Sequence, residues 1–165
     1  MRKQARQVTP EEAIVRLETL CVKAERCRRE LAQKLRQWRI EPERGEAILD
    51  SLQQRRFYDD ARFARAFVRD RFRFSHWGRR KIVAELRARG IAADTLAAAL
   101  EEIEPEAYEA SARAIIRRRL EQTPDSDTYE GRTRVFRHAV SRGYEPDLVA
   151  RILRSVASGK DADLS

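Results

Sequence analysis

Three segments of similar pattern recur along the chain at an interval of about fifty residues. They read RRELAQKLRQWRI at 28–40, RRKIVAELRARGI at 79–91 and RTRVFRHAVSRGY at 132–144. Apolar residues coincide at positions i and i+4 in all three, as one buried stripe of a helix requires. These pairs are Leu31 and Leu35, Ile82 and Leu86, and Val135 and Ala139. The repeat predicts that the chain folds as an array of similar helical units.

Turns and helix-start signals follow each of these segments. Glycine stands at the turn that ends the second and third segments, at Gly90 and Gly143, where a left-handed C-cap suits it. Arg39 occupies the same place in the first segment. A proline with acidic neighbours then opens a further helix at Pro42 and Pro146, since proline loses no hydrogen bond in a first helical turn. One more apolar-patterned stretch precedes each segment, which makes three helices to a unit.

The period therefore predicts an all-α fold in which three tandem three-helix repeats form an elongated, curved array. The expected units are 9–55, 56–103 and 104–156, between a flexible basic N-terminus (1–8) and a flexible C-terminus (157–165). A unit of about fifty residues buries little apolar surface alone, so neighbouring units must pack together. Seven of the twelve aromatic residues lie in the middle unit, which we expect to be the best packed.

The chain carries a net charge of +8, and 30 of its 35 basic residues are arginine. A basic excess favours encounter with nucleic acid or with an acidic protein surface. Arginine in particular favours bidentate pairing with phosphate or carboxylate. The candidate binding residues are Arg28, Arg29, Arg79, Arg80, Lys81, Arg113, Arg117, Arg118, Arg119, Arg132 and Arg134. The alternative interpretation is a solvated surface whose charges form salt bridges between neighbouring helices.

In the first two units the basic helix is followed by an acidic one, which argues against sequence-specific reading of DNA. Residues 92–106 contain five acidic residues and no basic residue, and residues 41–52 are also net acidic. A recognition helix needs basic or amide side chains that face the bases of the major groove. Phosphates would repel these helices, so the units do not have the pattern of a helix-turn-helix transcription factor.

Catalytic and metal-binding patterns are missing from the sequence. The histidines His76 and His138 lie far along the chain from the cysteines Cys21 and Cys27, which we interpret as reduced, half-buried thiols. We find no glycine-rich phosphate loop and no nucleophile motif, so we expect no enzyme, cofactor, metal site or small-molecule substrate. No apolar run approaches the roughly 20 residues of a membrane span, and no signal peptide opens the chain. We expect a cytoplasmic protein without a membrane segment.

The segment FYDDARFARAFVRDRF (57–72) is similar to the signature of the RecX family of regulatory proteins. The matching residues are Phe57, Tyr58, Asp59, Asp60, Arg62, Phe63, Ala64 and Phe67. The segment WGRRKIVAELRARGI (77–91) resembles the next block of the family through Gly78, Lys81, Ile82, Leu86, Gly90 and Ile91. The resemblance covers nearly all of residues 10–156. Arg39 and Arg56 depart from it, because the family often has glycine at those places.

The resemblance implies three tandem three-helix units and a non-enzymatic function. RecX-like proteins bind the RecA recombinase, particularly its filament on single-stranded DNA, and restrain its ATPase and strand-exchange activities in recombination, DNA repair and the SOS response. The signature implies structural roles, with Phe63 and Phe67 in the core and Asp59 or Asp60 as a helix cap. We expect a monomer that also binds DNA weakly and non-specifically. The alternatives are a DNA-binding protein that competes for the same strand and a helical scaffold for an unrelated acidic partner.

Overall fold

Helices make up all the regular secondary structure in the described part of the chain. The computed structural model describes residues 7–157. The helices in that range are α1 Pro10–Lys23, α2 Arg28–Gln37, α3 Pro42–Gln54, α4 Asp60–Arg73, α5 Arg79–Ala88, α6 Ala93–Leu100, α7 Pro105–Glu121, α8 Tyr129–Ser141 and α9 Pro146–Ala157. No strand occurs within residues 7–157, so the predicted all-α class is confirmed. The ends expected to be flexible, 1–8 and 157–165, lie mostly outside the described residues.

The helices group in threes, as the repeat predicts. The main contacts join α1 and α2 to α3, then α4, α5 and α6 to one another, then α7, α8 and α9 to one another. We call these groups the first, second and third units. The middle helix of each unit buries its i, i+4 pair, with every side chain at most 3% exposed. The pairs are Leu31 and Leu35 in α2, Ile82 and Leu86 in α5, and Val135 and Ala139 in α8.

Side chains just before several helices explain where those helices begin. The Thr9 hydroxyl accepts a hydrogen bond from the Glu12 backbone N–H (3.2 Å), and the Glu12 carboxylate accepts one from the Thr9 N–H (3.2 Å). This reciprocal pair is a capping box, and it fixes the start of α1. Asp59 and Thr128 likewise accept a bond from the backbone N–H three residues on, at the starts of α4 and α8.

The buried apolar side chains form two separate clusters, which we call the first core and the second core. The first core fills the first unit around residues such as Leu49, and it also contains Tyr58 from the segment before α4. The second core runs through both the second and third units, around residues such as Ile116, and it also contains Cys27 from the segment before α2. Each core therefore includes one side chain from across the boundary between the first and second units.

In the second unit Phe67 is less buried than the resemblance implies, and Phe74 is exposed. Phe63 is buried, but Phe67 is only half-buried, because its ring lies at the edge of the second core. Phe74, which directly follows α4, is 78% exposed. By its helical position Phe67 lies inside the buried stripe formed by Phe63, Ala64 and Val68, so its partial exposure arises because the second core ends there. The resemblance correctly implies a core position for Phe63, whereas Phe67 only borders the core.

Several turns between helices use left-handed backbone. Gly90 (φ 73°) and Gly143 (φ 100°) do so at the ends of α5 and α8, as predicted. Within residues 7–157 the other left-handed residues are Arg39 (φ 58°), Arg56 (φ 59°) and His76 (φ 52°). The chain thus keeps the left-handed turn at Arg39 and Arg56 although neither is glycine, and an L side chain there has a steric cost.

Replacing Arg39 by glycine is expected to stabilise the protein. Arg39→Gly removes the steric penalty of the left-handed backbone, which is about 1–2 kcal/mol. The greater entropy of glycine in the unfolded chain offsets part of this gain, so the free energy of unfolding should rise by about 0.5–1 kcal/mol. Arg36→Gly, in the last turn of α2, is the matched control and should lower it by up to about 1 kcal/mol. Urea denaturation measures both. A loss of stability in Arg39→Gly would show that the arginine side chain contributes more than its backbone strain.

Candidate partner-binding surface

The Asp59–Asp60 pair connects the first and second units. Asp59 caps its own helix by accepting a hydrogen bond from the Arg62 backbone N–H (2.8 Å). The Asp60 carboxylate instead accepts a bond from the backbone N–H of Arg28 (2.8 Å), the first residue of α2. Residue Cys27, at the N-cap of α2, provides no side-chain bond there. Asp60 therefore caps a helix of the neighbouring unit, and the two adjacent carboxylates have different structural roles.

The side chain of Arg28 lies in the same contact between the first and second units, which we call the first joint. Its guanidinium donates hydrogen bonds to the Tyr58 hydroxyl (2.8 Å), the Glu46 carboxylate (2.5 Å) and the Asp50 carboxylate (3.0 Å). Beside it, Arg62 Nε donates to Glu25 (2.7 Å). The charge of Arg28 is thus neutralised within the chain, and its role is to hold α2, α3 and the segment before α4 together.

The backbones of the second and third units touch at two glycines. The Gly78 N–H donates to the Arg142 carbonyl (2.8 Å), and the Arg80 N–H donates to the Gly143 carbonyl (3.0 Å). A Cβ atom on Gly78 would lie 2.2 Å from the Gly143 carbonyl carbon, which no side chain can tolerate. A Cβ atom on Gly143 would lie 2.4 Å from the Cβ of Lys81. Glycine at both positions is what allows the start of α5 to dock against the end of α8.

Two buried tyrosines and Arg79 complete the contact between the second and third units, which we call the second joint. The Tyr108 hydroxyl accepts a hydrogen bond from the Arg79 N–H (2.9 Å) and donates one to Glu145 (2.7 Å). The Arg79 guanidinium lies 4.1 Å from the centre of the Tyr108 ring, and the rings of Tyr108 and Tyr144 lie 5.3 Å apart. Burial raises the pKa of Tyr108 above its ordinary value, so its proton stays in place for the bond to Glu145. Arg79 therefore packs between units.

The eleven basic residues predicted as a binding set are spread over α2, α5, α7 and α8. Ion pairs hold Arg28, as described above, and also Arg113, which pairs with Glu109 (2.8 Å), and Arg134, which pairs with Asp125. For Arg28, which pairs with residues of α3, the alternative interpretation of salt bridges between neighbouring helices describes the structure. The pair of Arg113 with Glu109 lies within α7, and that of Arg134 with Asp125 joins α8 to the preceding loop. Among the described residues no ion pair holds Arg29, Arg80, Lys81, Arg118, Arg119 or Arg132.

These remaining basic residues differ in exposure. Arg29, Arg80, Arg118 and Arg132 are exposed, whereas Lys81 and Arg119 are half-buried. The pKa of His138 in α8 is lowered by partial burial, and also by the positive charges of Arg119 and Arg142. Arg119 therefore lies near the contact between α7 and α8. Arg29 and Arg80 therefore offer free charge from the first and second units.

Cations and aromatic rings alternate in a row along the second unit. The guanidinium groups of Arg89 and Arg71 lie 5.0 Å and 5.1 Å from the centre of the Phe67 ring. Arg71 also lies 5.0 Å from the centre of the Trp77 ring, and the Lys81 ammonium lies 4.4 Å from it. With cations against both rings, neither ring is an open platform for a nucleic-acid base. The row instead fixes the positions of Arg71 and Lys81 at a surface.

A groove lies where the end of α4 faces α7. Phe72 and Arg73 line it from α4, and His76 lines it from the following loop. Ser111, Ala114, Ile115 and Arg118 line it from α7. This groove could not be found from the sequence, because its two walls are about forty residues apart in the chain.

Among residues 7–157, no group of histidine, cysteine and acidic side chains is arranged to hold a metal ion. In the described range, none of the helices combines the length and the apolar character that a membrane crossing needs. Cys21 and Cys27 are both free, and burial raises the pKa of each thiol. Cys21 is half-buried as predicted, whereas Cys27 is fully buried because it packs in the second core.

Family models and curated proteins match most of the chain. A model of the second three-helix domain of RecX matches residues 59–100, and a model of the third three-helix domain matches residues 106–153. Regulatory protein RecX of Thermobifida fusca is 36% identical over 160 residues, which cover 93% of this chain and 86% of that protein. Regulatory protein RecX of Leptothrix cholodnii is 36% identical over 139 residues, which cover 84% and 85%.

Two solved structures share the fold. A crystal structure of regulatory protein RecX superposes with a TM-score of 0.78 at 20% identity and covers 87% of this chain and 70% of that one. The crystal structure of RecX from Lactobacillus salivarius superposes with a TM-score of 0.74 at 18% identity and covers 90% and 99%. At these identities the two structures support the helical architecture.

Proposed function

The chain belongs to the RecX family of regulatory proteins, and we propose that it regulates the RecA recombinase by binding the RecA filament on single-stranded DNA. In this proposal the bound protein restrains the ATPase and strand-exchange activities of the recombinase and catalyses no reaction itself. It acts in the cytoplasm as a monomer. Family membership carries the proposal, because the resemblance to RecX-like proteins implies this partner.

The distribution of charge supports a partner that presents acidic groups or phosphates. The net charge is +8, and Arg29 and Arg80 are exposed and form no ion pair within residues 7–157. The Arg29 side chain lies next to the turn at Gly90, 3.7 Å from where a Cβ atom on that glycine would stand. Arg29 therefore lies where the first unit meets the second, whereas Arg80 lies at the start of α5, where the second unit meets the third. Such charges accelerate encounter with an oppositely charged surface.

The two joints support a mechanism in which the protein braces neighbouring protomers. Hydrogen bonds connect each unit to the next, through Asp60 and Arg28 at one joint and through Gly78 and Gly143 at the other. The longest helix, α7, has 17 residues and is about 26 Å long. Three such units in series can contact more than one protomer of a filament. A brace of this kind would oppose the movements between protomers that accompany ATP turnover and strand exchange.

A second candidate function is non-specific binding of single-stranded DNA in competition with the recombinase. The fixed positions of Arg71 and Lys81 beside Trp77 favour it, since positioned cations pair with phosphates and release counterions. Both functions predict weak binding to bare DNA that falls steeply with salt. The ratio of affinities distinguishes them, because a filament regulator binds the RecA–DNA filament much more tightly than the strand alone.

We expect the protein to inhibit RecA ATPase on single-stranded DNA at amounts well below one molecule per recombinase protomer. The double change Arg29→Glu and Arg80→Glu should raise the concentration needed for half-inhibition by about tenfold or more, because like charges at an interface repel. ATP hydrolysis at fixed filament concentration measures the effect. Far-ultraviolet circular dichroism of the variant should stay helical.

The matched control is the double change Arg56→Glu and Arg154→Glu. It changes the net charge by the same amount at two exposed arginines that form no ion pair within residues 7–157, and it should leave inhibition nearly unchanged. Equal losses in both variants would mean that only net charge matters and would favour the competitor for bare DNA. If the unmodified protein leaves RecA activity untouched, the proposed function is wrong.

A further inference from the structure

The groove between α4 and α7 combines an apolar floor with basic walls. Its volume is ≈ 330 Å³, at the low end of the range of ligand-binding pockets. Phe72, Ala114 and Ile115 provide apolar surface, and Arg73 and Arg118 are exposed at its walls. Within residues 7–157 neither arginine forms an ion pair, and no acidic residue lines the groove. Its chemistry therefore suits an apolar side chain with carboxylates beside it.

Phe74 adds an exposed aromatic ring in the adjoining loop. A phenylalanine that is 78% exposed gains nothing from burial in the free protein. The loop is nevertheless tied to the third unit: the Tyr144 hydroxyl donates to the His76 carbonyl (3.3 Å), and Arg142 donates to the Ser75 carbonyl. His76 also has left-handed backbone (φ 52°). The third unit thus holds this loop in one conformation and leaves the Phe74 ring in solvent.

We propose that this groove, together with Phe74, is a docking site for an acidic protein segment that carries one large apolar side chain. The inference rests on the proposed function, since the segment belongs to the recombinase, and it specifies the chemistry of the contact. The apolar side chain enters between Phe72 and Ile115, and flanking carboxylates pair with Arg73 and Arg118. Phe74 closes over the segment and is desolvated on binding.

The groove fits a protein segment better than a nucleic acid. A strand of DNA would pair its phosphates with Arg73 and Arg118 but would need an open ring face for its bases. The Phe72 ring packs against Tyr108, with the ring centres 6.1 Å apart, so one side of it is covered. Binding energy at such sites comes mainly from an apolar anchor in a desolvated pocket, with charged groups around it. The apolar floor and basic walls match that arrangement.

The test uses short labelled peptides and fluorescence anisotropy with the full-length protein. One peptide is rich in glutamate and has one central phenylalanine, and the other has serine in place of that phenylalanine. We expect the phenylalanine peptide to bind about tenfold more tightly. The double change Phe74→Ala and Arg118→Glu should remove this difference. The matched control is the double change Tyr129→Ala and Arg154→Glu, which alters an aromatic residue that is 82% exposed and an exposed arginine away from the groove. This control should still bind the phenylalanine peptide more tightly than the serine peptide.

Two further measurements separate this inference from the proposed function. The groove variant should inhibit RecA ATPase less strongly than the control variant, and both should bind a labelled oligothymidine equally well. If the unmodified protein inhibits RecA and the groove variant inhibits it equally, the groove is not the docking site, while the proposed function stands. Equal affinity of the unmodified protein for the two peptides would also overturn the inference. The inference would also be overturned if the groove variant lost oligothymidine affinity together with its preference for the phenylalanine peptide, because the groove would then be a nucleic-acid site.

Discussion

The change Gly143→Ala is expected to lower the free energy of unfolding by about 3 kcal/mol or more. Two effects add at this position. The backbone is left-handed (φ 100°), and the new Cβ atom would lie 2.4 Å from the Cβ and 2.7 Å from the backbone nitrogen of Lys81. Relief of this contact requires α5 and the end of α8 to separate, which breaks the hydrogen bond from the Arg80 N–H to the Gly143 carbonyl (3.0 Å). Urea denaturation measures the loss.

Gly90→Ala is the matched control for Gly143→Ala. Gly90 has the same left-handed conformation (φ 73°) and also follows the middle helix of a unit. Its surroundings are open, since the nearest atom to an added Cβ would be Arg29 Cδ at 3.7 Å. This change should therefore cost about 1 kcal/mol, the backbone effect alone. Equal costs at the two glycines would show that the second and third units do not need their close backbone approach.

The change Leu49→Ala should lower the stability of the first unit by about 2–5 kcal/mol and leave the rest of the protein much less affected. Leu49 is fully buried in the first core, which is separate from the second core. Amide hydrogen exchange can resolve the difference helix by helix. A loss of about 3 kcal/mol should accelerate exchange of the most protected amides in α1–α3 by roughly 100-fold. The protected amides of α7–α9 should exchange at nearly the original rate.

Ile116→Ala is the comparison in the second core. Ile116 is also fully buried, but its core is continuous through the second and third units. The change Ile116→Ala should therefore accelerate amide exchange throughout α4–α9 and have a smaller effect on α1–α3. If Leu49→Ala accelerates exchange equally in all helices, the chain unfolds as one cooperative unit, and the two cores are not independent.

The helices and their buried stripes could be predicted because they depend on local sequence. Leu31 and Leu35, with their equivalents in the other units, repeat at helical spacing, and glycines such as Gly90 end the helices in the expected manner. The resemblance also pointed to a helix cap in the signature. The residue pattern of the signature could not show that Asp60 caps α2 of the neighbouring unit, because that hydrogen bond joins residues 32 positions apart in the chain.

The candidate site was less predictable than the fold. The sequence identifies arginines but not their partners, so Arg28 and Arg79 look the same as Arg29 and Arg80 until the units are packed. Arg28 then pairs with acidic residues of α3, and Arg79 packs on Tyr108. The groove next to Phe74 depends on how the second unit meets the third. Such contacts follow from tertiary packing, which a pattern of charges along one helix does not contain.

The exchange of Tyr58 and Cys27 between the two cores affects how this array can be shortened, extended or recombined. A chain cut between residues 55 and 56 would leave the first core without the Tyr58 ring and the second core without Cys27. A hybrid of two relatives joined at that point would place unmatched side chains in both cores. The segment that can be transplanted intact therefore overlaps its neighbour. A crossover that preserves packing must take Tyr58 from the parent of the first core and Cys27 from the parent of the second core.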